Sequence, residues 1–428
     1  MNICILGLGY IGLPTAAMFA THGTQVLGVD ISDHIINTLS NGQIHIYEPG
    51  LQEIVRQALL TGNLQVARHP SHANAFLIAV PTPFYEDKTA DMRAVSSAAE
   101  AIVPCLKPGN LVVLESTSPP RTTLDLVKPI LEKSGLQAGK DFHLAYSPER
   151  VLPGKILEEL VHNARVIGGL TPECARMGRD LYAQFVKGEI IETDATTAEM
   201  VKLMENTYRD VNIAIANEFS RLADRFGVDV WEAIGLANRH PRVRILNPGP
   251  GVGGHCISVD PWFLVQAAPD LTRLIYASRS VNDGQPHFVV SLIKRLLGEV
   301  KGRRITALGL ALKPDVDDLR ESPAVEVCHL LSKAGATVRA YEPYQPAMKF
   351  DDFETLPTLE EALKDSELIL LLVGHSEFCS LDPEKVAQVT SARRVMDTVN
   401  AFPRASWSKA GFSMSSLGAD EREKQSDL

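Results

Sequence analysis

The sequence is short of several things, and each shortage removes a class of function. Six cysteines in 428 residues (Cys4, Cys105, Cys174, Cys256, Cys328 and Cys379) form no CxxC pair and no Cys/His cluster at zinc spacing. That pattern excludes a disulfide scaffold and a zinc module and fits a reduced cytoplasmic setting, with no resident metal expected. Long apolar runs are missing too: the longest, Leu368 to Val373, falls far below the roughly 20 residues that cross a bilayer. The opening MNICILGLGYIG has no basic stretch before its apolar run, so it reads as a first strand and not as a signal peptide. Positive charge is also scarce. With 42 Lys plus Arg against 52 Asp plus Glu the net charge is −10, which gives no general attraction to nucleic acid or an anionic membrane. Any anionic ligand must be met by a few placed cations.

What is present is a globular chain, 45% hydrophobic and 22% charged, long enough for two to three domains. From Met1 to about 190, the runs ICILGLG, VLGVD, FLIAV, LVVLE, HLAYS and VIGG alternate with helix-length segments. That alternation predicts βαβ units and a parallel sheet covered on both faces. A second block, 191–300, opens with Thr196 and Glu199 spaced as a capping box. The helix so begun meets no Pro or Gly until Gly227, and a further helix opens at Asp229. The breaker-rich loop NPGPGVGGHC follows at Asn247 to Cys256. From 301 to 410 the α/β alternation returns as RITALGLAL, TVRAYEP, LILLLVG and RRVMDTV, and 411–428 reads as a polar tail. The expected fold class is α/β, with two Rossmann-like parallel-sheet domains joined by a central helical region.

ILGLGYIG places Gly7, Gly9 and Gly12 directly after a strand and before a helix, the context in which GxGxxG binds a dinucleotide. The first glycine permits the tight turn, the second the approach of the pyrophosphate, the third close helix packing. Asp30, eighteen positions beyond Gly12 at the end of the next strand, suits the ribose hydroxyls; Ile31 and Ser32 follow it and no Arg is at hand for a 2′-phosphate. NAD is therefore expected over NADP. Thr82 in AVPTP and Thr117 in LESTSPP end two further strands, as ligand contacts or as ordinary turn residues.

Lys202, Asn206 and Arg209 stand at i, i+4 and i+7 on the long helix and share one face. A solvated helix face is the plain alternative. Cys256, on its glycine-rich loop with Asp260 four residues on, is either an inert buried thiol or a nucleophile activated by a nearby cation. An NAD site with a nucleophilic cysteine suggests aldehyde oxidation through a thiohemiacetal and a thioester.

Together GLGYIG, VPTP, EST, SPER, EMVKLMENTYRDVNIAIANE, GPGVGGHCISVDPWFL and LALKPDVDDLRESP resemble the UDP-glucose/GDP-mannose dehydrogenases, from Met1 to about Pro403. Within that family LANRHPRVRILNPGPGVGGHC is most similar to members acting on UDP-N-acetyl-D-mannosamine. The resemblance implies an amino-terminal NAD domain, a central dimerising region and a nucleotide-sugar domain. It implies a four-electron oxidation of the sugar C6 alcohol to a carboxylate, with two NAD consumed, for surface polysaccharide. It makes Cys256 the nucleophile, Lys202 the acid/base or oxyanion cation and Asn206 a donor to the same oxygen. Asp260, Glu149 and Thr117 would organise the catalytic water. Substrate contacts implied are Arg150, Val151, Lys202, Asn206, Arg209, His240, Arg242, Gly253, Lys313 and Arg320; on the cofactor side Tyr10 and Ile11 join the glycines, Asp30, Thr82 and Thr117. Part of the site would come from a neighbouring subunit, hence a homodimer or higher oligomer. UDP-N-acetylglucosamine or UDP-glucose as substrate, a one-step hydroxy-acid dehydrogenase, and a catalytically silent nucleotide-sugar or NAD-binding regulator are the competing readings.

Overall fold

The computed structural model describes residues 1–419 apart from Pro153 and Ala347. Backbone contacts divide the chain into two compact units, Met1–Glu205 with Trp262–Pro269, and Asn206–Pro261 with the chain from Asp270 onward.

Among the described residues the first unit holds an eight-stranded sheet: β1 Asn2–Leu6, β2 Gln25–Val29, β3 Leu64–Ala67, β4 Ala75–Ile78, β5 Leu111–Leu114, β6 His143–Tyr146, β7 Arg165–Gly169 and β8 Ile190–Asp194. Its order is β3-β2-β1-β4-β5-β6-β7-β8. Successive residues of β1 feed opposite cores, Ile3 and Ile5 one, Cys4 and Leu6 the other. Both faces are thus covered, as parallel strands of near-continuous hydrophobicity require. One pairing departs from the all-parallel expectation: β6 and β7 are antiparallel, with Ala145 opposite Gly169. The connection between them carries the seven-residue helix Ile156–His162.

The second unit holds a six-stranded, all-parallel sheet: β9 Arg304–Leu308, β10 Thr337–Tyr341, β11 Glu354–Thr355, β12 Leu368–Leu371, β13 Arg394–Asp397 and β14 Ser413–Ser416, in the order β11-β10-β9-β12-β13-β14. The central block does not stand as a unit of its own. Val289, Val290 and Ile293, on the helix Gln285–Leu297, share one core with Ile305 of β9. The expected tail from 411 is corrected in its first part: β14 pairs with β13, and Trp407, Phe412 and Met414 are buried together. Aromatic burial outweighs the polar residues between them. The rest of that expected tail, from 420, lies outside the described residues.

The long helix runs Ala195–Phe226, 32 residues, and ends at Gly227 with φ +68°. That left-handed residue is the usual helix stop. The expected capping box is replaced. Asp194 accepts from the Thr197 N–H and hydroxyl at 2.9 and 2.6 Å. Glu199 is buried and instead accepts from the backbone N–H groups of Arg121 and Thr123 and from the Thr123 hydroxyl. A carboxylate two residues before Thr196 was better placed for the first turn, which freed Glu199 to anchor the loop after Thr117. No described helix is long and apolar enough to cross a membrane.

Candidate functional site

The first unit presents a dinucleotide cradle at the carboxyl end of β1. A Cβ on Gly7, whose φ is +94°, would lie 2.5 Å from the Ala79 carbonyl oxygen, and one on Gly12 would run into the Gly7 oxygen. A Cβ on Gly9 would meet nothing within 4 Å. The outer glycines are thus fixed by packing, while the space over Gly9 suits a pyrophosphate. Ile11 precedes the helix Gly12–Thr21 without a side-chain cap, leaving that helix terminus for an anion. Tyr10 packs on the adjoining core. Asp30 accepts from the N–H groups of Leu8 and Ser32 at 3.0 and 2.9 Å, tying the ends of β1 and β2 together. Thr82 donates its hydroxyl to the Thr117 carbonyl at 2.7 Å, joining the loops after β4 and β5. These features fit NAD, which when bound accepts a hydride.

Beyond β6 the SPER segment builds a second cluster in the same unit. Lys202, 8% exposed, donates to the backbone carbonyl of Glu149 at 2.7 Å. The Glu149 carboxylate accepts from the Arg150 N–H at 2.7 Å and from Arg165 at 2.5 Å. Arg165 also donates to Ser147 Oγ at 3.0 Å, lies 3.7 Å from Glu115 and covers the Tyr182 ring at 4.3 Å. Burial pushes the Glu115 carboxyl up to about 7 against the pull of Arg165, and Tyr182 donates its hydroxyl to it. Arg150 pairs with Glu205 at 2.6 Å, and Val151 packs against the core.

The cysteine loop belongs to the second unit. The Cys256 carbonyl accepts from the N–H groups of Val259 and Asp260 at 3.0 and 2.8 Å, a turn that opens the helix Asp260–Ala267. Asn206, 1% exposed, donates to the Asp260 carboxylate and accepts from Arg209. The unit division falls within the long helix, between Glu205 and Asn206. The loop is held by buried amides: Gly249 N–H donates to Asn217, Asn217 to Asn282, and Asn282 to Asp210, at 2.9, 2.9 and 2.7 Å. Gly253 has a packing reason of its own, since a Cβ there would lie 2.5 Å from the Glu321 oxygen.

Gly254 N–H donates to the Arg320 carbonyl at 3.1 Å, which binds the cysteine loop to the segment after β9. There Lys313 is half-buried, and Arg320 grips Asp318 through both prongs at 2.9 and 2.6 Å. His240 and Arg242 lie on an exposed stretch. Arg242 lines a cleft of about 510 Å³ with Tyr208, Asn212, Ile215 and Pro241. Among the described residues no group of three or more His, Cys, Asp or Glu side chains could hold a metal.

Three domain signatures of one family cover the chain: the UDP-glucose/GDP-mannose dehydrogenase NAD binding domain over residues 1–186, its central domain over 196–284 and its UDP binding domain over 306–404. The chain belongs to the UDP-glucose/GDP-mannose dehydrogenase family. It is 45% identical over 426 residues to a UDP-N-acetyl-D-mannosamine dehydrogenase of Methanococcus maripaludis, covering 97% of each chain. It is 47% identical over 417 residues to an NDP-N-acetyl-D-galactosaminuronic acid dehydrogenase of Ralstonia solanacearum, covering 95% of this chain and 96% of the relative. Among solved structures, the UDP-N-acetyl-mannosamine dehydrogenase of Staphylococcus aureus superposes with a TM-score of 0.89 at 45% identity, over 98% of this chain and 99% of that one. The protein is an NAD-dependent UDP-sugar dehydrogenase.

Reading by motif missed Arg165, Glu115 and Tyr182. Their one signal is charge at the edge of an apolar strand, LVVLE and RVIGG, because partners scattered along the chain share no spacing.

Proposed function

We propose that this dehydrogenase oxidises UDP-N-acetyl-D-mannosamine at C6 to UDP-N-acetyl-D-mannosaminuronate in the cytoplasm, for surface polysaccharide, using Cys256 as a covalent nucleophile. The observation that carries the mechanism is the buried Asn206–Asp260 pair at the base of the Cys256 turn. A buried amide and carboxylate paired beside a candidate nucleophile support that reading.

Lys202 takes the C6 hydroxyl proton in the first oxidation. The Cys256 sulfur then bonds to the aldehyde carbon, and Lys202 and Asn206 stabilise the oxygen that gains charge. The second oxidation converts this thiohemiacetal to a thioester. Water, oriented by Glu149, Asp260 and Thr117, breaks the carbon–sulfur bond, returning the thiol and releasing the carboxylate. Gly7, Gly9, Tyr10, Ile11, Gly12, Asp30, Thr82 and Thr117 hold the cofactor. Arg150, Val151, Arg209, Gly253, Lys313 and Arg320 hold the nucleotide sugar, with His240 and Arg242 acting from a second copy.

That second copy is supported by Tyr208, Ile215, Phe219, Leu222 and Phe226, which are 67, 42, 40, 43 and 72% exposed along one face of the long helix. Monomers rarely leave so continuous an apolar stripe in water, and Arg242 borders it. We keep 1–190, 191–300 and 301–410 as functional blocks for cofactor, dimerisation and nucleotide sugar.

The mannosamine assignment rests on the named relatives, and the Ralstonia relative makes the galactosamine sugar the first competitor. The test supplies NAD with the UDP-linked N-acetylated mannosamine, galactosamine and glucosamine and with UDP-glucose. Two NADH per mannosamine substrate and loss of acid formation in Cys256→Ala are expected; turnover confined to another sugar overturns the substrate, and one NADH per sugar from the unaltered enzyme overturns the mechanism.

A further inference from the structure

We propose that Arg165 is a positioning residue for hydrolysis of the covalent intermediate, acting through Glu149; this rests on the water-orienting role proposed above for Glu149. Arg165 is 5% exposed and spends its guanidinium on Glu149, Ser147, Glu115 and the Tyr182 ring. It has no opening to solvent and stands one side chain behind the candidate site.

Its grip on Glu149 fixes two things at once. The carboxylate has one oxygen on Arg165 and the other on the Arg150 N–H, so its direction is set at both oxygens. The backbone carbonyl of the same residue accepts from Lys202 Nζ. A rotation of Glu149 would therefore disturb the water-orienting carboxylate first and the lysine second.

Behind Arg165 the support is rigid. Tyr182 is fully buried, stacks under the guanidinium and donates its hydroxyl to Glu115, whose second oxygen is buried with no partner among the described atoms. Two carboxyl groups thus face one guanidinium in a desolvated pocket. Such an arrangement is often less stable than an apolar core of similar volume, so its presence fits a functional role. It is more than folding needs to hold β6 to β7.

The test uses Arg165→Lys, which keeps the buried charge but loses the planar fork. A second variant, the double Arg165→Gln with Glu115→Gln, removes the guanidinium and the carboxyl behind it together, so that Glu115 is not stranded and Glu149 keeps the Arg150 N–H. Each is mixed with NAD and UDP-N-acetyl-D-mannosamine, quenched, and weighed intact. A drop in kcat of roughly ten-fold or more is expected, with KM for NAD and sugar near wild type. A burst of two NADH per subunit and a sugar-nucleotide adduct on Cys256 should accompany it. Normal kcat in both variants overturns the proposal, as does lost activity with no adduct or with raised KM. Glu149→Gln run in parallel separates the two ideas. If it traps the adduct and the Arg165 variants do not, only the positioning role falls; if it traps nothing, the reading of Glu149 falls and takes this proposal with it.

Discussion

Over six strands the two sheets have one order, β3-β2-β1-β4-β5-β6 in the first and β11-β10-β9-β12-β13-β14 in the second. The likeness reaches the residue level. Gly7 and Gly309 follow the first strand of each with φ +94° and +85°. The next residue, Leu8 or Leu310, donates its N–H to a carboxylate just beyond the second strand, Asp30 or Glu342. From there they diverge. Asp30 is half-exposed beside a helix that starts at Gly12, over a turn whose middle glycine faces open space. Glu342 is 1% exposed and takes the N–H groups of Leu310, Ala311 and Tyr344 together with His375 Nε2. Topology therefore sets where a carboxylate stands, and local burial decides whether it stays open to the surroundings or is sealed onto a loop.

His375 shows what the second carboxylate holds. Its Nδ1 accepts the Asp315 N–H at 2.9 Å, so Nε2 carries the proton and donates to Glu342. Asp315 sits at φ +59° between Lys313 and Arg320. The first sheet leaves its acid half-exposed at the glycine turn; the second sets a buried acid and histidine to the shape of a loop.

The strongest attempt to break this contrast is a pair of valines. Gly12→Val should abolish NAD binding, a loss of about 100-fold or more because the helix must shift away from the phosphates, yet leave UDP binding intact by calorimetry. Gly309→Val, which would press on Val373, should lower the melting temperature and UDP affinity while NAD still binds. Loss of NAD binding in both would show that the lobes are not separate in function.

Removing the carboxylates should have unlike effects of intermediate size. Asp30→Ala should weaken NAD by roughly ten-fold or more, a charged hydrogen bond being worth about 1.5–3 kcal/mol, and should lower melting less than loss of Glu342, because it unpairs the Leu8 and Ser32 N–H groups at a half-exposed site. Glu342→Ala or His375→Phe should instead leave buried N–H groups unpaired, costing about 1–3 kcal/mol of stability, and should weaken UDP with NAD unaffected. Equal melting losses from Asp30→Ala and Glu342→Ala would erase the distinction.

The gentlest probe is pH. Burial raises Glu115 to about 7 from an ordinary 4.5, so the folded first unit binds the proton more tightly than the unfolded chain. Its stability contribution should shrink as pH climbs from about 4.5 through 7. For Glu342, burial pushes upward but His375 and the backbone N–H groups outweigh it and hold the carboxyl below its ordinary value. That contribution is present above about 4.5 and is lost as pH falls further. Hydrogen exchange followed from pH 8 to 4 should show β5 gaining protection on the way down and β10 losing it only at the acid end. Matching trends in both strands would refute the assignment.

Much of this was legible without coordinates. The glycine spacing and Asp30 named the cofactor turn because a tight turn, an open approach and a ribose acceptor each demand one residue type at a short, fixed separation. Lys202 and Asn206 fell on one face because helical periodicity is local. Cys256 stood out through the breakers around it. The Thr196–Glu199 box misled because Asp194 and Thr196 both offer a capping oxygen two residues apart and sequence cannot rank them.

Sequence by itself thus determined the order of strands and helices, the acidic balance and the turn chemistry, all of which depend on neighbours along the chain. Tertiary structure alone decided that β7 turns antiparallel, that Trp407 and Phe412 belong to a core, that Glu342 is sealed by His375, and that Arg165 stands between two carboxyl groups. The physical reason is common to all four. Burial and charge pairing depend on which distant segments share a volume, and no spacing in the chain records that.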